Sequence, residues 1–333
     1  MLTRYIIKRV FTMIPLLIAV SAMIFFIIKL PPVDYLTTYI QRLELSGVVA
    51  DQSTVMNLRT QYGLDKSNIE QYYIWVRNIV TRGDFGRSMQ WSEPVADLIK
   101  DRVGWTMIVS LLTLVVSFVI AIPAGIYAAT HKYTISDYIV TFIGFIGMAV
   151  PGFLLALLLV YVIFANTGIA FVGLFSNEYI NAPMSVGKFF DMLPRLCLCV
   201  GIIGLTGTAG TIRTMRAMTL DELEKQYVTT ARAKGLAEGK MLRKYPIRMA
   251  VNPIVSTIGW ALPGFISGEV VVSIVLSMPT IGPLLRNAYM NQDMYLAGSM
   301  MLLISVMTLV GTLLSDILLA ILDPRIKFGG VTE

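Results

Sequence analysis

Val103 to Thr130 reads VGWTMIVSLLTLVVSFVIAIPAGIYAAT, a stretch without a single Asp, Glu, Lys, Arg or His. A helix needs about 17 apolar residues to cross a bilayer, and this run exceeds that length. It places the chain in a membrane. The composition agrees: of 333 residues, 56% are hydrophobic and 14% charged, and the mean hydropathy is +0.70. A soluble domain carries about 25% charge, so too few polar residues remain to cover a surface facing water. Disordered, collagen-like and disulfide-stapled chains are excluded, and a soluble enzyme with them.

Five further charge-poor stretches flank this one. Val10–Ile28 follows Arg4, Lys8 and Arg9 and leads into Lys29-Leu-Pro-Pro32 without a small-residue cleavage site, so it reads as an uncleaved anchor. A third span is expected near Ile139–Phe164, a fourth over Leu196–Ile212, a fifth from Met249 to about Ser277 and a sixth over Met294–Leu322. The expectation is an all-α, polytopic chain with about six transmembrane helices. It divides into an anchor helix (1–30), an extracytoplasmic segment (31–102) and a core (103–328) whose cytoplasmic loop spans 213–248.

Lys and Arg near span ends set orientation. The connection Arg213–Arg248 holds nine basic and four acidic residues. With six spans it shares a side with the basic amino terminus, the His131-Lys132 loop and the Arg325/Lys327 tail. That side is predicted to be cytoplasmic. Pro31–Arg102 then lies outside, and its Ile69, Tyr72, Tyr73, Val76, Ile79 and Val80 fit one helix face.

Other features read as packing. Cys197 and Cys199 stand two apart, where helical side chains do not face each other. Glycines 201, 204, 207 and 210 recur every third residue in the fourth span, and small residues let helices approach closely. His131 is the only histidine, which removes zinc motifs and serine or cysteine triads that need one. No GxxxxGK[ST] or GxSxG occurs, so neither ATP hydrolysis nor peptide cleavage is expected of this chain. Its positive charge belongs to membrane edges, and no nucleic acid is expected as a partner.

The cytoplasmic connection carries the one suggestive segment, Thr229-Thr-Ala-Arg-Ala-Lys-Gly235. Small side chains on a short helix would let a partner close around its backbone, and the glycine can end that helix. Positive charges on its flank can hold an acidic groove or lipid headgroups.

That segment, with Pro253 eighteen residues after its glycine, resembles the EAA-type loop of ABC importer permeases, although Thr229 stands where that family has Glu. Similarity to the oligopeptide/dipeptide branch runs through Tyr62-Gly-Leu-Asp65, Gly83-Asp-Phe-Gly-Arg-Ser88, Ile122-Pro-Ala-Gly125, Ala149-Val-Pro-Gly152 and Leu322-Asp-Pro-Arg-Ile326. The resemblance implies a type I importer permease fold in a prokaryotic plasma membrane. It also implies a second permease chain, two ATPase subunits that bind the ATP and Mg, and an external substrate-binding protein. Residues Thr229, Thr230, Ala231, Arg232, Ala233, Lys234 and Gly235 would then form the coupling loop, seated in a groove of one ATPase.

The departures from this branch concern substrate. Pro31-Pro-Val-Asp-Tyr35 replaces Pro-Gly-Asp-Pro, Ser273 stands where Glu is usual with Glu269 four residues earlier, and Pro279-Thr-Ile-Gly-Pro283 replaces Pro-Gly-Leu-Gly-Arg. Oligosaccharides are therefore an alternative cargo to oligopeptides. Glu269 and Ser273 are the candidate pathway residues. A carboxylate against lipid is costly, so Glu269 is expected at a subunit interface or wet cavity. Glu269 and Asp316, the acids within spans, would also have to serve the alternative of an ion-coupled secondary transporter, and no inverted repeat supports them.

Overall fold

A computed structural model of the chain describes residues 2–31 and 64–322, with isolated positions between 36 and 60. Residues 32–35, 62–63 and 323–327, which carry parts of three quoted motifs and the basic tail, lie outside the described residues. In chain order the helices are α1 (Leu2–Ile28), α2 (Asn68–Arg82), α3 (Val95–Thr130), α4 (Ile135–Ala149), α5 (Gly152–Thr167) and α6 (Val186–Leu223). There follow α7 (Gln226–Ala233), α8 (Glu238–Lys244), α9 (Pro246–Leu276), α10 (Ile281–Met290) and α11 (Met294–Leu322).

Among the described residues, four helices are long and apolar enough to cross a membrane: Ile6–Ile28 of α1, α3, α6 and Met294–Leu314 of α11. Two more pairs, α4 with α5 and Ala261–Leu276 of α9 with α10, reach that standard only together, across a bend at a short break. The protein is an all-α polytopic membrane protein with four such helices, or up to six if each bent pair is one span.

Three expected boundaries are corrected. The third span is not one helix over Ile139–Phe164, because α4 and α5 meet at 106°. Pro151 has no N–H to donate and pushes the residue before it out of the helical region, and Val150 accordingly lies at φ −96°, ψ 120°. The Ala149-Val-Pro-Gly152 motif is thus a corner. The fourth span, expected over Leu196–Ile212, is the middle of a helix running from Val186 to Leu223. The second begins at Val95 rather than Val103, taking Asp97, Lys100, Asp101 and Arg102 into α3.

The chain packs as two compact units. The larger contains residues 106–279 and the end of α11 from Thr308 onward. Its core joins Phe118 of α3, Met215 of α6 and Ala250 and Ile254 of α9. Between membrane helices, association rests on tight van der Waals contact rather than on expelling water, and α6 supplies that contact through small residues. A Cβ at Gly207 would lie 2.5 Å from the Phe265 ring, and one at Gly204 would lie 3.1 Å from the Ser117 hydroxyl. From the other side, a Cβ at Gly147 of α4 would meet the Leu205 carbonyl at 2.7 Å. Gly201 and Gly210 face open space, so half of the expected glycine stripe is interior contact.

The smaller unit contains Ile7–Trp105 and Thr280–Met307. Here α2 packs on α1 and α11 through Trp75, Phe25, Met294 and Leu302. A full capping box at Ser67 and Glu70 starts α2, and Gly83, at φ 64°, ends it. The expected helix is present, but its packed face is rotated. Trp75 and Gln71 are buried, Tyr72, Val76 and Ile79 flank them, and Ile69, Tyr73 and Val80 are exposed. Tyr72 and Gln71 tie this face to α1: the Tyr72 and Ser21 hydroxyls are 2.8 Å apart, and Lys29 donates to the Gln71 side-chain oxygen at 2.5 Å.

Candidate functional site

The connection between α6 and α9 is ordered by its own small core. Val228 and Ala231 on α7 and Met241 on α8 are buried together, with Leu236, Leu242 and Tyr245 packed around them. The turn between the helices follows from one residue. Gly235 sits at φ +74°, a conformation costing other L-residues about 1–2 kcal/mol. Its N–H donates to the Arg232 carbonyl at 2.9 Å, and the Leu236 N–H reaches back to the Ala231 carbonyl at 3.3 Å. This pair of bonds is the Schellman ending of a helix, with Leu236 giving the apolar contact that accompanies it.

The loop's polar groups brace it further. Arg232 donates to both oxygens of Glu238, at 2.7 Å and 3.3 Å, joining the end of α7 to the start of α8. Those bonds hold the Glu238 carboxyl below its ordinary range. Tyr227 donates to the Glu222 carboxylate at the end of α6, and burial followed by that bond pushes its phenol up to about 12.

The seven residues of the expected coupling segment therefore divide. Ala231 points into the loop's core. Thr229, Thr230, Arg232, Ala233, Lys234 and Gly235 are exposed. One side of α7 is anchored while the other presents small side chains and two cations, Arg232 and Lys234. That surface has no catalytic group and can act by being held.

Glu269 and Ser273 lie one turn apart on α9, and neither has any accessible surface. The Ser273 hydroxyl donates to the Val270 carbonyl of its own helix at 3.0 Å. In the single chain the protein's own packing encloses Glu269 completely.

Two buried carboxylates escaped the sequence reading. Asp137, in the first turn of α4, accepts two hydrogen bonds of 2.7 Å from Arg216 of α6 and one of 3.0 Å from the Tyr133 N–H. The available signal was Thr134, which caps α4 by accepting from the Asp137 N–H and so marks a helix start. In the smaller unit, Asp293 caps α11 through the Leu296 N–H, and its other oxygen accepts from the Ser88 hydroxyl at 2.5 Å and the Gln90 N–H at 3.1 Å. The serine ending Gly83-Asp-Phe-Gly-Arg-Ser88 is thus a structural tie.

Similarity to known proteins extends over nearly the whole chain. The profile of the family described as binding-protein-dependent transport system inner membrane component matches residues 121–328. The profile of the corresponding amino-terminal region matches residues 1–112. The oligopeptide transport system permease protein AppB of Bacillus subtilis is 34% identical over 325 residues, covering 97% of this chain and 99% of its own length. The oligopeptide transport system permease protein OppB of Haemophilus influenzae is 28% identical over 326 residues, covering 98% of this chain and 99% of its own. With both profiles matched, the chain belongs to the binding-protein-dependent transport system inner membrane components, the permease subunits of ABC-type importers.

Proposed function

We propose that this chain is one of two permease subunits that form the translocation pathway of an oligopeptide importer in a prokaryotic plasma membrane. A substrate-binding protein delivers the cargo from outside, and two ATPase subunits hold ATP and Mg on the cytoplasmic side. Each bent helix pair counts as one span, giving six spans with the amino terminus and the α7–α8 loop in the cytoplasm. Residues 31–102 lie outside, and the core runs from 103 to 328. Two relatives named as oligopeptide permeases weigh the cargo toward peptides rather than oligosaccharides.

The observation that carries the coupling role is the division of α7 into an anchored side and an exposed side. A lever needs rigid attachment at one end and a docking surface at the other. Val228, Ala231 and Met241 provide the first. Thr229, Thr230, Ala233 and Lys234 provide the second, with Arg232 and Gly235 fixing the turn that follows. When ATP draws the ATPase pair together, the loop transmits that movement to α6 and α9. Glu269 and Ser273, enclosed in this state, reach the pathway only when the helices around them separate.

A single cysteine at Thr230 tests the docking. It should cross-link to an ATPase subunit in the intact complex, with a yield that changes on ATP binding. Cross-linking to the binding protein instead, or to no partner, would refute it. The cargo class is tested by identifying the ligand that co-purifies with the binding protein encoded beside this chain; a sugar would overturn the peptide assignment.

A further inference from the structure

A groove of about 200 Å³ runs between α4 and α6 in the larger unit. Its floor is made of small residues, with a Cβ at Gly144 falling 3.9 Å from Ala209. Phe145, Met148 and Ile212 form its apolar sides. Arg213 and Arg216 stand at the end of the groove nearer the α7–α8 loop. These two cations differ. Arg216 is neutralised by Asp137 through two hydrogen bonds, whereas Arg213 is exposed and forms no ion pair among the described residues.

From these observations we infer that the groove is a binding site for an anionic phospholipid, with an acyl chain along Phe145, Met148 and Ile212 and the phosphate on Arg213. The charge arrangement leaves one positive charge where a headgroup lies. Guanidinium binds phosphate oxygens with paired donors. The narrow space suits a flexible hydrocarbon chain, because a packed helix needs an interaxial distance of about 8–10 Å. The outer surface of α4 continues the apolar lining through Tyr138, Ile139 and Phe142, all exposed. From Val140 to Met148 the lining covers about 12 Å of helix, at a rise of about 1.5 Å per residue, which is part of one leaflet. The site rests on the proposed spans, α6 and the α4–α5 pair, lying in the membrane and not on which side the loop occupies.

The test uses the intact complex in mild detergent, with native mass spectrometry after addition of phosphatidylglycerol or phosphatidylcholine of equal chain length. Phosphatidylglycerol should be retained about fivefold better, the ratio expected for one cation near a headgroup. Arg213→Gln should abolish that preference, and Gly144→Leu, which fills the floor, should reduce retention of both lipids. Equal retention of both lipids by the wild type, or a preference unchanged in Arg213→Gln, would overturn the site. Should either variant fail to assemble, a photoactivatable phosphatidylglycerol on the wild-type complex decides the question. Labelling on α4 and α6 supports the groove, and labelling confined to other helices refutes it. A cysteine at Phe145 that forms a disulfide with one on the second permease would show that protein covers the groove. Failure of the membrane reading itself is distinguishable, because a cysteine at Phe142 would then react with a water-soluble maleimide.

Discussion

Arg216 on α6 clasps Asp137 on α4 with two parallel hydrogen bonds of 2.7 Å, joining residues 79 positions apart. The Asp137 side chain is 2% exposed and that of Arg216 27%, so one charge is withdrawn from water and the other keeps partial access. Removing the carboxylate leaves a guanidinium against apolar helix surface. Asp137→Asn should therefore destabilise the protein by about 2–3 kcal/mol. The double variant with Arg216→Met should recover part of that loss, giving a coupling energy of about 1–3 kcal/mol in a double-mutant cycle from unfolding in mixed micelles. Additive losses would show that the two groups act independently.

Small residues on α6 should respond to alanine according to what stands opposite them. Gly207→Ala forces a methyl group into the Phe265 ring and should cost about 1–3 kcal/mol. Gly201→Ala and Gly210→Ala meet open space, so helix propensity should make them neutral or stabilising by up to about 1 kcal/mol. Unfolding midpoints of the isolated chain in detergent separate these outcomes. A uniform response at all three positions would contradict the close approach of α6 and α9.

Asp293 combines a helix cap with two donors from the turn before α3. Asp293→Ala should cost about 3 kcal/mol, from the lost cap and the unsatisfied Ser88 and Gln90 groups. Asp293→Asn keeps a capping oxygen but turns an NH2 toward the Gln90 N–H, which it cannot accept from, and should cost about 1–2 kcal/mol. Hydrogen exchange offers a local check, since amides over residues 86–96 should lose protection in the alanine variant before those of α6 do.

Much of the architecture is legible in the chain because lipid is an unforgiving solvent. Charge-poor runs locate α9 to within three residues at its start and α11 at its first residue. They fail where a helix runs on through charged residues. Val95–Arg102 and Arg213–Leu223 are helical yet charged, and a search for uncharged runs stops before both. Charge counting also cannot see a corner, although the Val150-Pro151 step carries that information. For α2 the periodicity is correct and the face is not, because Gln71 is buried by its bond to Lys29 while apolar Ile69 and Val80 stay exposed. In the α7–α8 loop, Gly235 reads correctly as a helix end, whereas the inward turn of Ala231 depends on Met241, ten residues away on another helix.

Sidedness has a direct check. In a cysteine-free background, single cysteines at Ser53 and Glu238 should be labelled by an impermeant maleimide from opposite faces of the membrane. Only the Ser53 site should react in intact cells, and the Glu238 site should react after permeabilisation. Labelling of both from outside would remove the six-span arrangement.

Gly235 distinguishes conformation from contact within the loop. Its Cβ would meet nothing within 4 Å, so Gly235→Ala carries backbone strain alone and should cost about 1 kcal/mol. Gly235→Asn should cost less, because asparagine tolerates the left-handed region. Gly235→Trp adds bulk at the exposed surface and should lose substrate-stimulated ATP hydrolysis while the spans remain assembled.

Ala233 lies on the exposed side of α7, away from the core formed by Val228, Ala231 and Met241. Ala233→Trp should therefore obstruct the proposed docking without disturbing the fold of the permease. The decisive measurement is ATP hydrolysis by the reconstituted complex carrying this variant, with and without loaded binding protein. Stimulation by the binding protein should disappear while the thermal stability of the permease stays at its wild-type value. Stimulation at the wild-type level would contradict the assignment of α7 as the element that couples this chain to its ATPase.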